Sequence, residues 1–194
     1  MGLDSVHLLM AIEDYFGVHI NDLEAEKVVT IQDLVDLLAR MLEVTGEEAA
    51  LREVVRSRLE VALVVMGIVQ REELGKDFSL DLWTVLDADA RQDLQDHLQL
   101  QLPQPPRDDE GRGAIGKWLD RHVWRHGRWN LPMNLDQWAT WLCIANCKTL
   151  LDPPAFADKF EIYVGIAAVT VDVLGVDVYE LEPQASFAND LGMD

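Results

Sequence analysis

Apolar residues recur at helical spacing in several separate stretches of the chain. From Ser5 to Phe16 they stand three or four positions apart, and Gly17 follows as a helix stop. Further on, Thr30 with Asp33 three residues later has the pattern of a helix cap before a second apolar stripe. That stripe consists of Ile31, Leu34, Val35, Leu38 and Met41. The pattern therefore predicts two amphipathic helices near the N-terminus, joined by a link at 18–29.

The same periodicity predicts helices along the rest of the chain. The stretch TGEE at 45–48 begins a long helix that runs to about Gly67, and another helix begins at Asp87. Beyond a loop at 103–113, rich in proline, charge and glycine, helical patterns cover 115–124 and 135–150.

A last helix begins after the cap Asp158 and ends at Gly175. The apolar residues of the 45–67 helix are Leu51, Val54, Val55, Leu59 and Leu63. Those of the 158–175 helix are Ile162, Ile166, Val169 and Val173. The β-branched residues of the last helix also permit a strand. Because no partner strand is evident in the sequence, we assign the chain to the all-α class.

Composition and charge narrow the classes of partner. The chain has 194 residues, 49% of them hydrophobic, which is enough for the core of one large domain or two small ones. Its formal net charge of −19 argues against nucleic acid and anionic membrane surfaces and favours basic protein partners. It has two cysteines and no pattern of a signal peptide or a spanning segment, so we expect a cytoplasmic location.

Several stretches together form a specific motif set. GLDSVHLL at 2–9 is followed by FGVHI at 16–20 and TIQDLVDLL at 30–38, and GVDVYELEPQASFANDLGMD at 175–194 follows the last helix. They resemble the acyl carrier protein family, which has a first helix, a long loop, Gly-x-Asp-Ser, a helix starting at that serine, an acidic link and a final helix. Here the first helix and the loop stand at the C-terminus, so the order of the parts is permuted.

The resemblance implies that residues 1–43 and 155–194 are two halves of an acyl-carrier-like bundle, closed in one chain or swapped between chains. Residues 45–152 then form a helical middle domain. A tandem array of carriers, cut between two serines, would leave this order, and termini that lie close together make such a rearrangement tolerable. Exchange between identical chains would give a domain-swapped homodimer.

The resemblance also implies a function and a site. Ser5 accepts a 4′-phosphopantetheine arm from coenzyme A, and the arm carries acyl groups as thioesters, as in fatty acid or polyketide biosynthesis. Asp4 helps to position metal-bound coenzyme A in a phosphopantetheinyl transferase. The modified chain is a phosphoprotein that presents acyl groups to partner enzymes and is not itself an enzyme. The alternative interpretation of Ser5 is a plain helix N-cap.

Five acidic residues lie on the helix that carries Ser5 and in the link after it. They are Glu13, Asp14, Asp22, Glu24 and Glu26. Such a run is usually a solvated face, whereas in the acyl carrier family the same region docks on basic patches of acyl-handling enzymes. Both interpretations can hold together.

The middle segment contains a weak echo of the carrier pattern. The residues Glu73, Leu74, Ser79, Leu80 and Asp87 follow the spacing of Glu180, Leu181, Ser186, Phe187 and Asp194. At the position that corresponds to Ser5, the middle segment has Ala88, which has no hydroxyl to modify. The alternative is a chance similarity between acidic amphipathic helices, with Asp87 an ordinary helix cap.

Other motifs are weaker. GRGAIG at 111–116 follows a loop where a dinucleotide site needs a strand. His122 and His126 are four positions apart, as are Cys143 and Cys147, and zinc ligands can have this spacing. Cysteines in a core and histidines on a surface are commoner than zinc ligands, so we assign no metal. Trp118, Trp124, Trp129, Trp138 and Trp141 crowd together. The second hypothesis is therefore an unmodified carrier-like module that binds a partner through its acidic face and Trp-rich segment, and an enzyme using the Cys/His residues ranks last.

Overall fold

The computed structural model describes residues 3–75, 78–104 and 133–192, and of Leu3 only the backbone. The described part of the chain is helical, which confirms the all-α class, and its extended pairing is limited to two isolated bridges. The helices are α1 (Leu3–Phe16), α2 (Asp22–Ala25), α3 (Ile31–Met41), α4 (Ala50–Val65), α5 (Leu82–Val85), α6 (Ala88–Leu98), α7 (Leu135–Ala145), α8 (Cys147–Leu150) and α9 (Lys159–Leu174), with 3-10 turns at Arg71–Glu73 and Val178–Glu180. In the described residues, no helix is long and apolar enough to cross a membrane.

Helix α9 lies against both α1 and α3, so segments from the two ends of the chain pack on each other within one molecule. We call α1, α2, α3, α9 and residues 175–192 the end bundle. Gly165 allows the close approach of α9 to α1, because a Cβ there would lie 2.9 Å from Phe16 Cζ and 2.9 Å from Tyr15 Cε1. The apolar stripes of the two ends therefore bury each other, as expected of residues whose exposure costs about 1.5 to 3 kcal/mol each.

Helices α4 to α8 form a second group, which we call the middle bundle. Its centre is the packing of α4 against α7, and α6 also packs on α4. Trp138 of α7 is fully buried, and its ring lies 5.4 Å from that of Trp83 and 5.3 Å from that of Trp141. The described tryptophans thus contribute to the packing of this bundle.

Helix α9 also joins the two bundles, because it contacts α7 and α8 as well as α1 and α3. Across the described residues, the buried apolar side chains form one continuous core. The assignment of residues 45–152 to a separate domain stays a prediction.

The linker before the middle bundle (42–49) contacts the linker after it (151–158) at Gly46. The amide of Lys159, at the start of α9, donates to Gly46 O at 2.9 Å. A Cβ on Gly46 would lie 2.6 Å from Ala157 O, so no side chain fits at this contact. The Lys159 ammonium pairs with Glu47 at 2.8 Å and with Asp36 at 3.2 Å. The start of α9 is therefore held by the chain between α3 and α4.

Several sequence predictions need correction. The long helix begins at Ala50 and not at 45. Residues 45–48 belong to the linker whose Gly46 carbonyl accepts a hydrogen bond from the start of α9. Val54 is 51% exposed and Val173 is 37% exposed, so both lie on the outer faces of their helices. The helix expected over 135–150 is interrupted at Asn146, whose side chain bonds to the backbone of Gln101.

Helices α3 and α7 correspond closely. Each has 11 residues and begins with a capping box, formed by Thr30 with Asp33 in α3 and by Asn134 with Gln137 in α7. Five positions are buried in both helices: Ile31, Leu34, Val35, Leu38 and Ala39 in α3, and Leu135, Trp138, Ala139, Leu142 and Cys143 in α7. Leu37 and Ile144 are each buried in one helix without a buried counterpart in the other. Leu34 and Trp138 are thus equivalent positions.

The segments that pair with these two caps also correspond. Ser186 forms an antiparallel bridge with Thr30, and Ser79 forms one with Asn134. The adjoining hydrogen bonds run from Phe187 N to Val29 O at 3.1 Å and from Leu80 N to Met133 O at 3.0 Å. Both pairings use the same spacing as the echo between 73–87 and 180–194 in the sequence.

Candidate functional site

Ser5 lies in the first turn of α1 and is partly buried. Because α1 begins at Leu3, Ser5 is inside the helix rather than at its N-cap position. The first turn of a helix has backbone N–H groups without an intrahelical acceptor and the positive end of the helix dipole. Asp4 beside it is exposed. A group attached to Ser5 Oγ would therefore start at an end of the helix that favours negative charge.

A cavity of about 360 Å³ lies beside Ser5. Its polar lining residues are Ser5, Glu26 and Ser186, and the remainder are apolar: Leu8, Leu9, Ile12, Ile20, Ala25, Val28, Val29, Leu34, Phe187 and Ala188. Two larger cavities, of about 700 Å³ and 590 Å³, have no lining residue from α1 or α2 and are lined by many amide and charged side chains. The cavity beside Ser5 is the one whose chemistry suits an apolar chain.

The cavity wall depends on both ends of the chain. Ser186 and Phe187 come from the C-terminal loop, which the backbone bonds of Ile31 N to Ala185 O (3.1 Å) and of Phe187 N to Val29 O hold against α3. Asp190 accepts a bond from Ser186 N at 2.9 Å and closes the turn that follows. Sequence analysis did not identify Ser186 and Phe187 as site residues, because their place follows from packing between distant segments.

Glu13 has a structural contact in addition to its predicted surface role. Its carboxylate accepts bonds from Ile20 N at 2.6 Å and His19 Nδ1 at 2.7 Å, and so fixes the turn after α1. That turn places Ile20 in the cavity wall. Asp14 is exposed on α1.

The other acidic residues lie on α2. Asp22 and Glu24 are in its first turn, and Glu24 accepts a bond from Asn21 Nδ2 at 3.0 Å. Glu26 ends the helix, is exposed and also lines the cavity. The carboxylates predicted as a docking surface thus come from the two helices beside the cavity.

Four large apolar side chains around Ser5 are exposed. Val6 and Met10 on α1 are 40% and 56% exposed, and Leu23 and Val29 are 71% and 57% exposed. On α6 of the middle bundle, by contrast, the exposed large side chains are polar: Asp89, Gln92, Asp93, Asp96 and His97. Apolar exposure next to acidic residues is typical of a surface that contacts other proteins.

Of the weaker motifs, the structure describes the cysteine pair and two of the tryptophans. In the part of the chain that the structure describes, no three His, Cys, Asp or Glu side chains could hold a metal ion together. Burial raises the pKa of the Cys143 thiol to about 12, and Cys147 Sγ lies 3.1 Å from Tyr15 Oη, so both cysteines are core residues. His122, His126, the GRGAIG stretch, the 115–124 helix and Trp118, Trp124 and Trp129 lie outside the described residues.

Comparison with known proteins finds a short similarity. An acyl carrier protein of Thermosynechococcus vestitus (strain NIES-2133 / IAM M-273 / BP-1) is 58% identical to this chain over 36 residues. The match covers 19% of this chain and 44% of that protein, so the chain spans less than half the length of the relative that it matches. No protein-family model matches the chain. No solved structure matches it either. The chain therefore contains a region similar to an acyl carrier protein.

Proposed function

We propose that this chain is an acyl carrier whose 4′-phosphopantetheine arm is attached at Ser5. The observation that carries the proposal is the apolar cavity beside a serine in the first turn of α1. A hydroxyl there can form a phosphodiester that the helix end favours, and the cavity can shield an apolar chain from water. The arm, when attached, supplies a thiol that holds an acyl group as a thioester.

The chain's own residues have three tasks in this proposal. Ser5 supplies the attachment oxygen, and Asp4 beside it assists the transferase that carries out the attachment. Leu8, Ile12 and Phe187 exclude water from the bound chain. The carrier catalyses no reaction itself, and its partners are the transferase and the enzymes that load, alter or remove the acyl group.

These partners are expected to be basic where they meet the carrier. Of the predicted acidic residues, Glu26 lines the cavity, and Asp4, Glu13, Asp14, Asp22 and Glu24 lie on the two helices that border it. Lys27 is the single lysine or arginine in the first 30 residues. Opposite charge on a partner speeds the encounter, and the exposed Val6, Met10 and Leu23 then provide apolar contact. A cytoplasmic location is part of the same proposal.

The order of elements is part of the proposal as well. The end bundle has the helices of one carrier in permuted order, and the middle bundle is a second carrier-like unit without the serine. The matched capping boxes of α3 and α7 and the matched bridges at Ser186 and Ser79 support this relation. Exchange of the end segments between two chains, giving a homodimer, is compatible with it.

The test is intact mass after incubation with coenzyme A and a promiscuous phosphopantetheinyl transferase. We expect one phosphopantetheine per chain, and none on the Ser5→Ala variant. Ser186→Ala is the matched control, because Ser186 lines the same cavity and its loss should leave the addition intact.

Two results would contradict the proposal. One is no addition under conditions that modify a known carrier, which would favour the unmodified interaction module. The other is addition to the Ser5→Ala variant, which would place the arm on a different residue.

A further inference from the structure

The cavity beside Ser5 has a counterpart position in the middle bundle, and the two can be compared residue by residue. Leu34, the fourth residue of α3, lines the cavity. Trp138 is the fourth residue of α7 and is fully buried. The two helices share their length, the positions of their capping boxes and five buried positions. Trp138 therefore occupies the position at which the smaller Leu34 borders the cavity in the end bundle.

The orientation of the indole supports this comparison. Trp138 Nε1 donates to Leu80 O at 2.8 Å. Leu80 corresponds to Phe187, because both pair through their backbone N–H with the residue before a helix cap. Phe187 lines the cavity of the end bundle. The Trp138 ring therefore extends from α7 to Leu80, the counterpart of the residue that lines the cavity in the end bundle.

Neighbouring residues complete the filling on the middle side. The Trp83 ring contacts that of Trp138 at an interplanar angle of 58°, and the Arg91 guanidinium lies 5.5 Å from the centre of the Trp83 ring. Arg91 also donates to Trp83 O at 2.9 Å and Leu86 O at 3.0 Å, which fixes the segment just before Ala88. In the middle bundle, the segment just before Ala88 is therefore packed with aromatic rings and held in place by the Arg91 guanidinium.

We infer that the residue at this helix position determines whether a bundle has room for an acyl chain: Leu34 leaves the cavity beside Ser5 open, and Trp138 closes its counterpart. The chemistry of the occupant rests on the proposed carrier function, whereas the space itself does not. The middle bundle lacks both the attachment hydroxyl, at Ala88, and the chain-binding space. It acts as a filled support against which α9 packs.

Benzene is a suitable probe, because apolar cavities in proteins bind it and its binding does not need a modified serine. We would titrate benzene into the full chain and follow the ¹³C-methyl resonances of Leu8 and Ile12 in the end bundle and of Leu94 in the middle bundle. The wild type should show saturable shifts at Leu8 and Ile12. Leu34→Trp should weaken that binding by at least about tenfold, a difference that titration resolves easily.

Matched variants separate loss of space from loss of fold. Leu34→Met conserves volume and should bind benzene like the wild type. Leu34→Phe, which adds less bulk than Trp, should give an intermediate loss if Leu34→Trp does not fold. Trp138→Leu should create benzene-dependent shifts at Leu94, and circular dichroism should show that each variant is folded.

The inference is overturned if Leu34→Trp is folded and still shifts Leu8 and Ile12 at wild-type benzene concentrations, or if the wild type binds no benzene there. These results do not depend on the arm, since the titration uses the protein without phosphopantetheine. Failure of phosphopantetheine addition with normal benzene binding would refute the carrier function and leave the role of Leu34 intact. In a protein that is modified, an octanoyl thioester should be hydrolysed several times faster on Leu34→Trp than on Leu34→Met.

Discussion

Single side chains fix the ends of the helices that form the site, and Asp33 is the clearest example. Asp33 Oδ2 accepts bonds from Thr30 N at 2.8 Å and Val29 N at 3.0 Å. The Thr30 N–H is the main cause that lowers the pKa of Asp33 below its ordinary value, although burial opposes it. Gln137 makes the same capping bond without a charge, from Asn134 N to its Oε1 at 3.0 Å.

A pH dependence follows for the first cap and not for the second. Because the pKa of Asp33 is lower in the folded state, its stabilising contribution is present above the unfolded value of about 3.9 and is lost as pH falls through the folded value. Because Asp33 is exposed and water screens its charge, Asp33→Ala should cost about 0.5 kcal/mol at pH 7 and progressively less below about pH 4. Urea midpoints measured from neutral to acidic pH would show this.

Gln137→Ala is the control, because its cost should not change with pH over the same range. If both variants lose the same stability at every pH, the charge of Asp33 contributes nothing to the cap.

Local signals such as these could be predicted from the sequence. Three helices begin at the predicted caps, which are Thr30 with Asp33, Asp87 and Asp158, and the last helix ends at Gly175 as predicted. Such caps can be predicted because they need only neighbouring residues. The start of α4 could not be predicted, because residues 45–48 are held out of the helix by the contact with the start of α9. Likewise, the motif alone predicts Ser5 as the attachment residue, and this stays a prediction. The cavity wall formed by Phe187 depends on tertiary contacts and could not be predicted.

At the scale of elements, α9 approaches α1 closely at Gly165. Alanine at a helical glycine normally gains about 1 kcal/mol of helix propensity. At Gly165 the new Cβ would meet the rings of Phe16 and Tyr15, and Phe16 is 1% exposed with the Phe156 ring 5.0 Å away. Overpacking of this kind typically costs about 1 to 3 kcal/mol, so it should outweigh the gain.

We therefore expect Gly165→Ala to lower the free energy of unfolding by about 1 kcal/mol, measured by chemical denaturation. Gly75→Ala is the control, because its Cβ meets open space and the backbone there is not in the left-handed region. That variant should be neutral or slightly stabilising. A Gly165→Ala variant as stable as Gly75→Ala would mean that α1 and α9 are not in tight contact.

At the scale of the whole molecule, the end bundle needs both ends of the chain. Residues 1–43 carry α1 and α3, whose buried faces contact α9. Expressed alone, this segment should be unfolded or aggregated, because the apolar side chains that α9 covers would be exposed to water. Addition of a 155–194 peptide should restore helical structure, measured by circular dichroism and size-exclusion chromatography.

The matched control peptide replaces Ile162 and Ile166, which are fully buried, by Asp and should restore nothing. If residues 1–43 fold stably as a monomer without any peptide, the two ends are not halves of one bundle and the proposed permutation is wrong. Because the fragment and the peptide are separate molecules, success would also show that the full chain can exchange these ends with a second copy.

The packing of α9 on α1 has a consequence for the route by which the protein folds. These helices stand at opposite ends of the sequence, so their first encounter must close a loop that contains nearly the whole chain. Each doubling of a flexible loop costs about 0.6 kcal/mol, and contacts that are distant in sequence form slowly. If α4 to α7 fold first, the loop becomes a short path from the linker at Gly46 to Asp158. The middle bundle would then be the folding template on which the cavity beside Ser5 is assembled.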